Sequence, residues 1–86
     1  MGGDQEQDWI RAAAQGDLQA YGRLVHLHQD MVFSLSLSLL KNRQDAEDLS
    51  QDVLVKAYRM LPQFKGLAPF KGWLYRITYH EGLNRL

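Results

Sequence analysis

The 86-residue chain contains no cysteine. That excludes a disulfide framework and the common zinc sites built on thiolates, and it fits a reducing compartment. Proline is scarce: Pro62 and Pro69 are the only two, and they bracket one short stretch. Long apolar runs are missing as well. The richest segment, Met31–Leu40, is broken by Ser34, Ser36 and Ser38. It is too short to span a bilayer, so no membrane insertion is expected. Met1-Gly2-Gly3-Asp4 lacks the basic and apolar regions of a secretory signal. Catalytic signatures are also lacking. There is no HExxH, no Ser/His/Asp constellation and no Gly-rich phosphate loop. His26 and His28 fall about 200° apart around a helix, and so on different faces. His80 has only Glu81 as an acidic neighbour. Enzyme chemistry, a metal and a cofactor are therefore not expected.

What is present is one small domain's worth of apolar residues, 45% of the chain. Net charge is zero, but the charges are not mixed. Residues 1–55 carry nine acids and four bases, while residues 56–86 carry six bases and the single acid Glu81. A basic end suits nucleic acid and an acidic end suits a basic protein surface. Mutual neutralisation within the fold is the plainer alternative.

The spacing predicts four helices and an all-α bundle. Residues 1–7 are expected to be disordered or tag-like, and residues 8–86 to form the domain. Trp9, Ile10, Ala13 and Ala14 share one face of a short first helix, Asp8–Gln15, closed by Gly16. Asp17 caps a second helix that runs to about Lys41, with Leu18, Tyr21, Leu24, Val25, His28, Met31, Val32, Leu35 and Leu39 at helical steps. Phe33–Leu39 alternates like a strand. No partner strand exists for its backbone, so the segment is assigned to the helix, its serines fitting a close helix contact. Asn42 caps a third helix with Asp45, Glu47 and Asp48 near its start, and Pro62 ends it. A loop to Pro69 and a last helix from Phe70 complete the chain.

The third helix has two faces. Ala46, Leu49, Val53, Ala57, Met60 and Leu61 point to the core. Asp48, Gln51, Asp52, Val55 and Arg59 lie opposite, either as a solvated face or as a partner surface. Beyond it, Pro62–Tyr79 holds five rings with Lys65, Lys71 and Arg76. Phe70, Trp73, Leu74 and Ile77 follow core spacing, leaving Phe64, Tyr75 and Tyr79 freer. Cations hold phosphates and rings stack on unpaired bases. Lys65, Lys71, Arg76 and Arg85 are the phosphate candidates.

Asp45-Ala46-Glu47-Asp48-Leu49-Ser50-Gln51-Asp52, Lys56-Ala57-Tyr58-Arg59, Phe64-Lys65-Gly66 and Pro69-Phe70-Lys71-Gly72-Trp73-Leu74-Tyr75-Arg76-Ile77 together resemble conserved region 2 of bacterial sigma factors. The extracytoplasmic-function (ECF) type is most similar. Gly16–Tyr21, Leu24-Val25 and His28-Gln29 fit the first helices of that family. The resemblance implies a cytoplasmic bacterial protein acting in transcription initiation. It implies that Asp48, Gln51 and Asp52 contact the clamp helices of the RNA polymerase β′ subunit. It further implies recognition and melting of the promoter −10 element by capture of a flipped non-template base. By position, Lys56, Phe64, Tyr75, Ile77 and His80 fall at that pocket, with Lys65, Lys71 and Arg76 near phosphates. An anti-sigma factor is an implied partner, and a module held mainly by one is the alternative reading. A full ECF sigma factor adds a linker and a −35-reading domain, neither expected in these residues. Leu67, Gly72 and His80 depart from the family's usual residues, and Gly82 adds a second glycine to the last helix.

Overall fold

In a computed structural model the chain is described over residues 2–66 and 68–86, with side chains from residue 5 onward. Leu67, singled out above, lies outside the described residues. Four α-helices form in order: α1 (Gly2–Ala14), α2 (Leu18–Leu40), α3 (Arg43–Met60) and α4 (Phe70–Asn84). Among the described residues there is no strand. The all-α expectation holds, and so does the helical reading of Phe33–Leu39.

Local chemistry sets the boundaries. Asp17 Oδ1 accepts from the Ala20 amide at 3.1 Å and starts α2. Asn42 Oδ1 accepts from the Asp45 amide at 2.9 Å and starts α3. Each side chain satisfies an amide that the helix itself leaves without a partner. Gly16 takes φ +102°, open to glycine, and lets the chain turn between α1 and α2. α3 ends just before Pro62, as expected, but the chain continues in a 3-10 turn rather than directly in a loop. Pro62 sits at the start of this turn, Leu61–Gln63, where its missing N–H costs nothing.

The first helix begins earlier than its sequence suggests. Residues 2–7, expected to be disordered, are helical. The reason is tertiary: Glu6 Oε2 meets Nε2 of the buried His28 at 2.8 Å, tying this end to α2. A carboxylate near a helix N-terminus is also favoured by the helix dipole.

α2 is central, packed against α1, α3 and α4. Leu24 and Val32 from α2, Leu49 and Val53 from α3, Leu61, and Leu74 from α4 are fully buried. Ser36 and Ser50 explain the close meeting of α2 and α3. Ser36 Oγ donates to the Val32 carbonyl at 2.7 Å and Ser50 Oγ to the Ala46 carbonyl at 2.8 Å. The two hydroxyl oxygens are 3.4 Å apart, both buried and both satisfied. On α4, Gly82 faces Leu39 of α2. A Cβ there would stand 2.5 Å from Leu39 Cδ1, so Leu39 fills the space a side chain at residue 82 would need.

Tyr21 ties α2 to α3. Its hydroxyl donates to the Leu54 carbonyl, and its ring lies 4.8 Å from that of Tyr58. Burial pushes its pKa from 10.0 up to about 12. The folded chain therefore keeps this proton after the unfolded chain has lost it. Stability should be intact below pH 10 and fall between 10 and about 12. The Tyr21 share of that loss is roughly 2–3 kcal/mol. Denaturant melts across this window should show Tyr21→Phe losing less stability than the wild type; equal slopes would contradict the assignment.

Candidate nucleic-acid and protein interfaces

The segment from Leu61 to Phe70 is held at both ends. The Phe64 amide donates to the Leu61 carbonyl at 2.9 Å, and Gly66 takes φ +73°. At the far end the Trp73 amide donates to the Pro69 carbonyl at 3.1 Å, which starts α4. The Phe64 ring packs 4.9 Å from Trp73 and edge-on to Phe70 at 6.0 Å. Phe70 is buried and also touches the His28 ring at 5.3 Å. Such tilted and edge-on ring contacts are favourable beyond the area they bury. Phe64 is thus half-buried in a ring cluster and not free, as its sequence position suggested. Once α4 starts beside it, Trp73 and Phe70 offer it a better surface than water.

Tyr75 and Tyr79 are exposed, 47% and 42%. Lys71, Tyr75 and Tyr79 recur every four residues, as do Gly72, Arg76 and His80, so α4 presents two adjacent exposed stripes. Lys65 is exposed on the preceding loop. Among the described residues no ion pair engages Lys65, Lys71 or Arg76. Ile77 is buried, facing the core. It nonetheless lines a cleft of about 280 Å³ between α3 and α4, together with Lys56, Met60, Trp73, Arg76, His80 and Glu81. The structure therefore brings Lys56, Arg76, Ile77 and His80 together. Lys65, Lys71 and Tyr75 lie outside the cleft, and Phe64 reaches it only through Trp73.

On α3, Asp48, Gln51, Asp52, Val55 and Arg59 are all exposed, as the helical projection required. Two ion pairs cross from α3 to α4. Lys56 Nζ meets Glu81 Oε2 at 2.6 Å, and Arg85 Nη2 meets Asp52 Oδ2 at 2.5 Å. Arg85 was a phosphate candidate in the sequence. Here its guanidinium reaches a carboxylate instead, because α4 runs antiparallel to α3 and sets residue 85 against residue 52. Glu81 and Arg85 were not recognised as partners of the α3 face. The one signal was spacing: opposite charges four apart at 52 and 56, and again at 81 and 85.

A larger groove of about 820 Å³ runs between α1 and α2, lined by Trp9, Arg23, His26 and Leu27 among others. It shares no residue with either surface above. Among the described residues no three His, Asp or Glu gather in a metal-holding group, and no helix is long and apolar enough to cross a membrane.

Residues 24–86 match the Sigma-70 region 2 family. The chain is 34% identical over 83 residues to the RNA polymerase sigma-H factor of Pseudomonas aeruginosa, covering 96% of this chain and 43% of that protein. It is 36% identical over 81 residues to the ECF RNA polymerase sigma-E factor of Escherichia coli K12, covering 94% and 42%. The chain thus spans less than half the length of these relatives. Among solved structures, an engineered region 2 of sigmaE in complex with GTAAAA superposes with a TM-score of 0.86 at 32% identity, covering 93% of this chain and 83% of that one. CnrH in complex with the cytosolic domain of CnrY gives 0.85 at 29% identity, covering 93% and 52%.

Proposed function

Because the chain belongs to the Sigma-70 region 2 family, in its ECF branch, we propose that it is the domain through which a sigma factor meets both polymerase and promoter. Asp48, Gln51 and Asp52 on α3 contact the β′ clamp helices. Lys65, Lys71 and Arg76 hold phosphates of the non-template strand. Lys56, Ile77 and His80, beside the exposed Tyr75 and above the Phe64 ring cluster, take a base of the −10 element as the duplex opens. The observation that carries this reading is the gathering of Lys56, Arg76, Ile77 and His80 on one cleft, next to the exposed tyrosines of α4. The relative bound to GTAAAA supports the nucleic-acid half.

The forces are matched to the task. Phosphate contacts give affinity that falls with salt and carries no sequence information. Stacking on Tyr75 adds roughly 1–3 kcal/mol per base. That suffices to trap a base once unpaired, but not to melt a duplex alone. The polymerase contact supplies the rest by holding the domain in place.

Asp48→Ala combined with Gln51→Ala tests the α3 half. Binding to a β′ clamp-helix fragment should weaken about fivefold or more, with helicity unchanged. Unchanged affinity would remove the assignment. Titration of single-stranded GTAAAA at increasing salt tests the other half, with steeply falling affinity expected. A second reading, a module held mainly by an anti-sigma factor, draws on the relative in complex with the cytosolic domain of CnrY. It is favoured if no single strand binds at low salt.

A further inference from the structure

The cleft between α3 and α4 holds one carboxylate among cations. Glu81 is the single acid of residues 56–86, and it lines the cleft beside Lys56, Arg76 and His80. Its side chain is only 25% exposed, and its Oε2 stands 2.6 Å from Lys56 Nζ. A phosphate site would not carry it. A carboxylate is an acceptor only, so it repels phosphate and offers it no hydrogen bond. To reach Lys56, a phosphate would first have to displace Glu81.

We propose that Glu81 is a specificity-determining residue that makes this cleft accept a nucleobase and refuse phosphate. The inference rests on the nucleic-acid reading above and deepens it. Lys56 and Glu81 side by side form a donor next to an acceptor. The edge of an unpaired base presents the complement, an acceptor next to a donor, and proteins read unpaired bases along that edge. Met60, Trp73 and Ile77 supply apolar wall for the flat faces of the ring. At about 280 Å³ the cleft has room for a single ring system and little more. Glu81 has a second effect. By neutralising Lys56 it withdraws that charge from general attraction to polyanions, leaving Lys65, Lys71 and Arg76 to hold the backbone outside.

The test measures a ratio. Wild type, Glu81→Gln and Glu81→Asp are titrated by fluorescence anisotropy with two probes of equal charge. One is a pool of random-sequence single-stranded hexanucleotides; the other is a fully abasic hexamer. The wild type should prefer the base-bearing pool by about tenfold. Glu81→Gln should bind the abasic probe several-fold tighter and lose most of that preference. Glu81→Asp, which keeps the charge, should retain it. Because both probes are read on the same folded protein, a partial loss of fold does not imitate the result. If Glu81→Gln changes both affinities by the same factor, or neither, Glu81 has no such role while the nucleic-acid reading stands. If the wild type binds neither probe, both fall together.

Discussion

Tyr75→Ala is expected to weaken binding of the −10 non-template strand by about 5- to 150-fold while leaving the melting temperature nearly unchanged. The range is the cost of one lost stacking platform, roughly 1–3 kcal/mol. The ring is 47% exposed and makes no ring contact with the core cluster, so its removal opens no cavity. Nonspecific duplex presents no unpaired base and should lose far less. Paired titrations with single strand and with duplex of equal length distinguish the cases. Equal loss on both would mean that Tyr75 serves charge or fold rather than a base.

Its neighbour should behave in the opposite way. Leu74 lies about 100° around the same helix and is 1% exposed, packed within the core. Leu74→Ala removes buried methyl groups and leaves a void that the helices fill only in part, costing roughly 3–5 kcal/mol. A domain of this size holds only about 4–13 kcal/mol in all. The melting temperature should therefore fall by roughly 10–30 °C. Both binding activities should fail together when measured near the new midpoint, and both should return on cooling. Retention of the wild-type melting temperature would mean that α4 is not anchored through Leu74. Two adjacent residues thus separate the fold from the function it presents.

What could be read from the sequence follows the range of each interaction. Asp17 and Asn42 act three residues away, so their caps and the starts of α2 and α3 were legible. The α3 projection was legible too, because one helix face decides Asp48, Gln51 and Val55 together. Ser50 was the exception, buried beside Ser36 with its hydroxyl satisfied by its own helix. The loop-adjacent rings were harder. α4 carries apolar or aromatic residues on both sides, so periodicity did not reveal that Phe64 packs on Trp73. The ion pairs of Lys56 with Glu81 and of Asp52 with Arg85 join residues 25 and 33 apart, and no local rule reaches that far. The helical Gly2–Gln7 segment failed for the same reason, since Glu6 finds its partner 22 residues on. In the sequence Gly82 stands only as a second glycine of the last helix. Its contact with Leu39 gives it a positive role that only tertiary packing discloses.

Lys41 and Asn42 are the whole connection between α2 and α3. Lys41 makes the reversal by taking φ 57°, a left-handed conformation that costs a non-glycine residue about 1 kcal/mol. Its amide closes α2 on the Leu37 carbonyl at 2.8 Å, and Asn42 opens α3 directly afterwards. A reversal this tight brings Ser36 to Ser50 across only 14 residues of chain, with little loop entropy to overcome. Contacts so close in sequence favour early assembly and rapid folding. By this locality the α2–α3 hairpin would form early, with α4 packing on it afterwards. The order of assembly would place the carboxylate face of α3 before the cleft, which needs both helices. On that order the surface proposed for polymerase would be complete before the surface proposed for DNA.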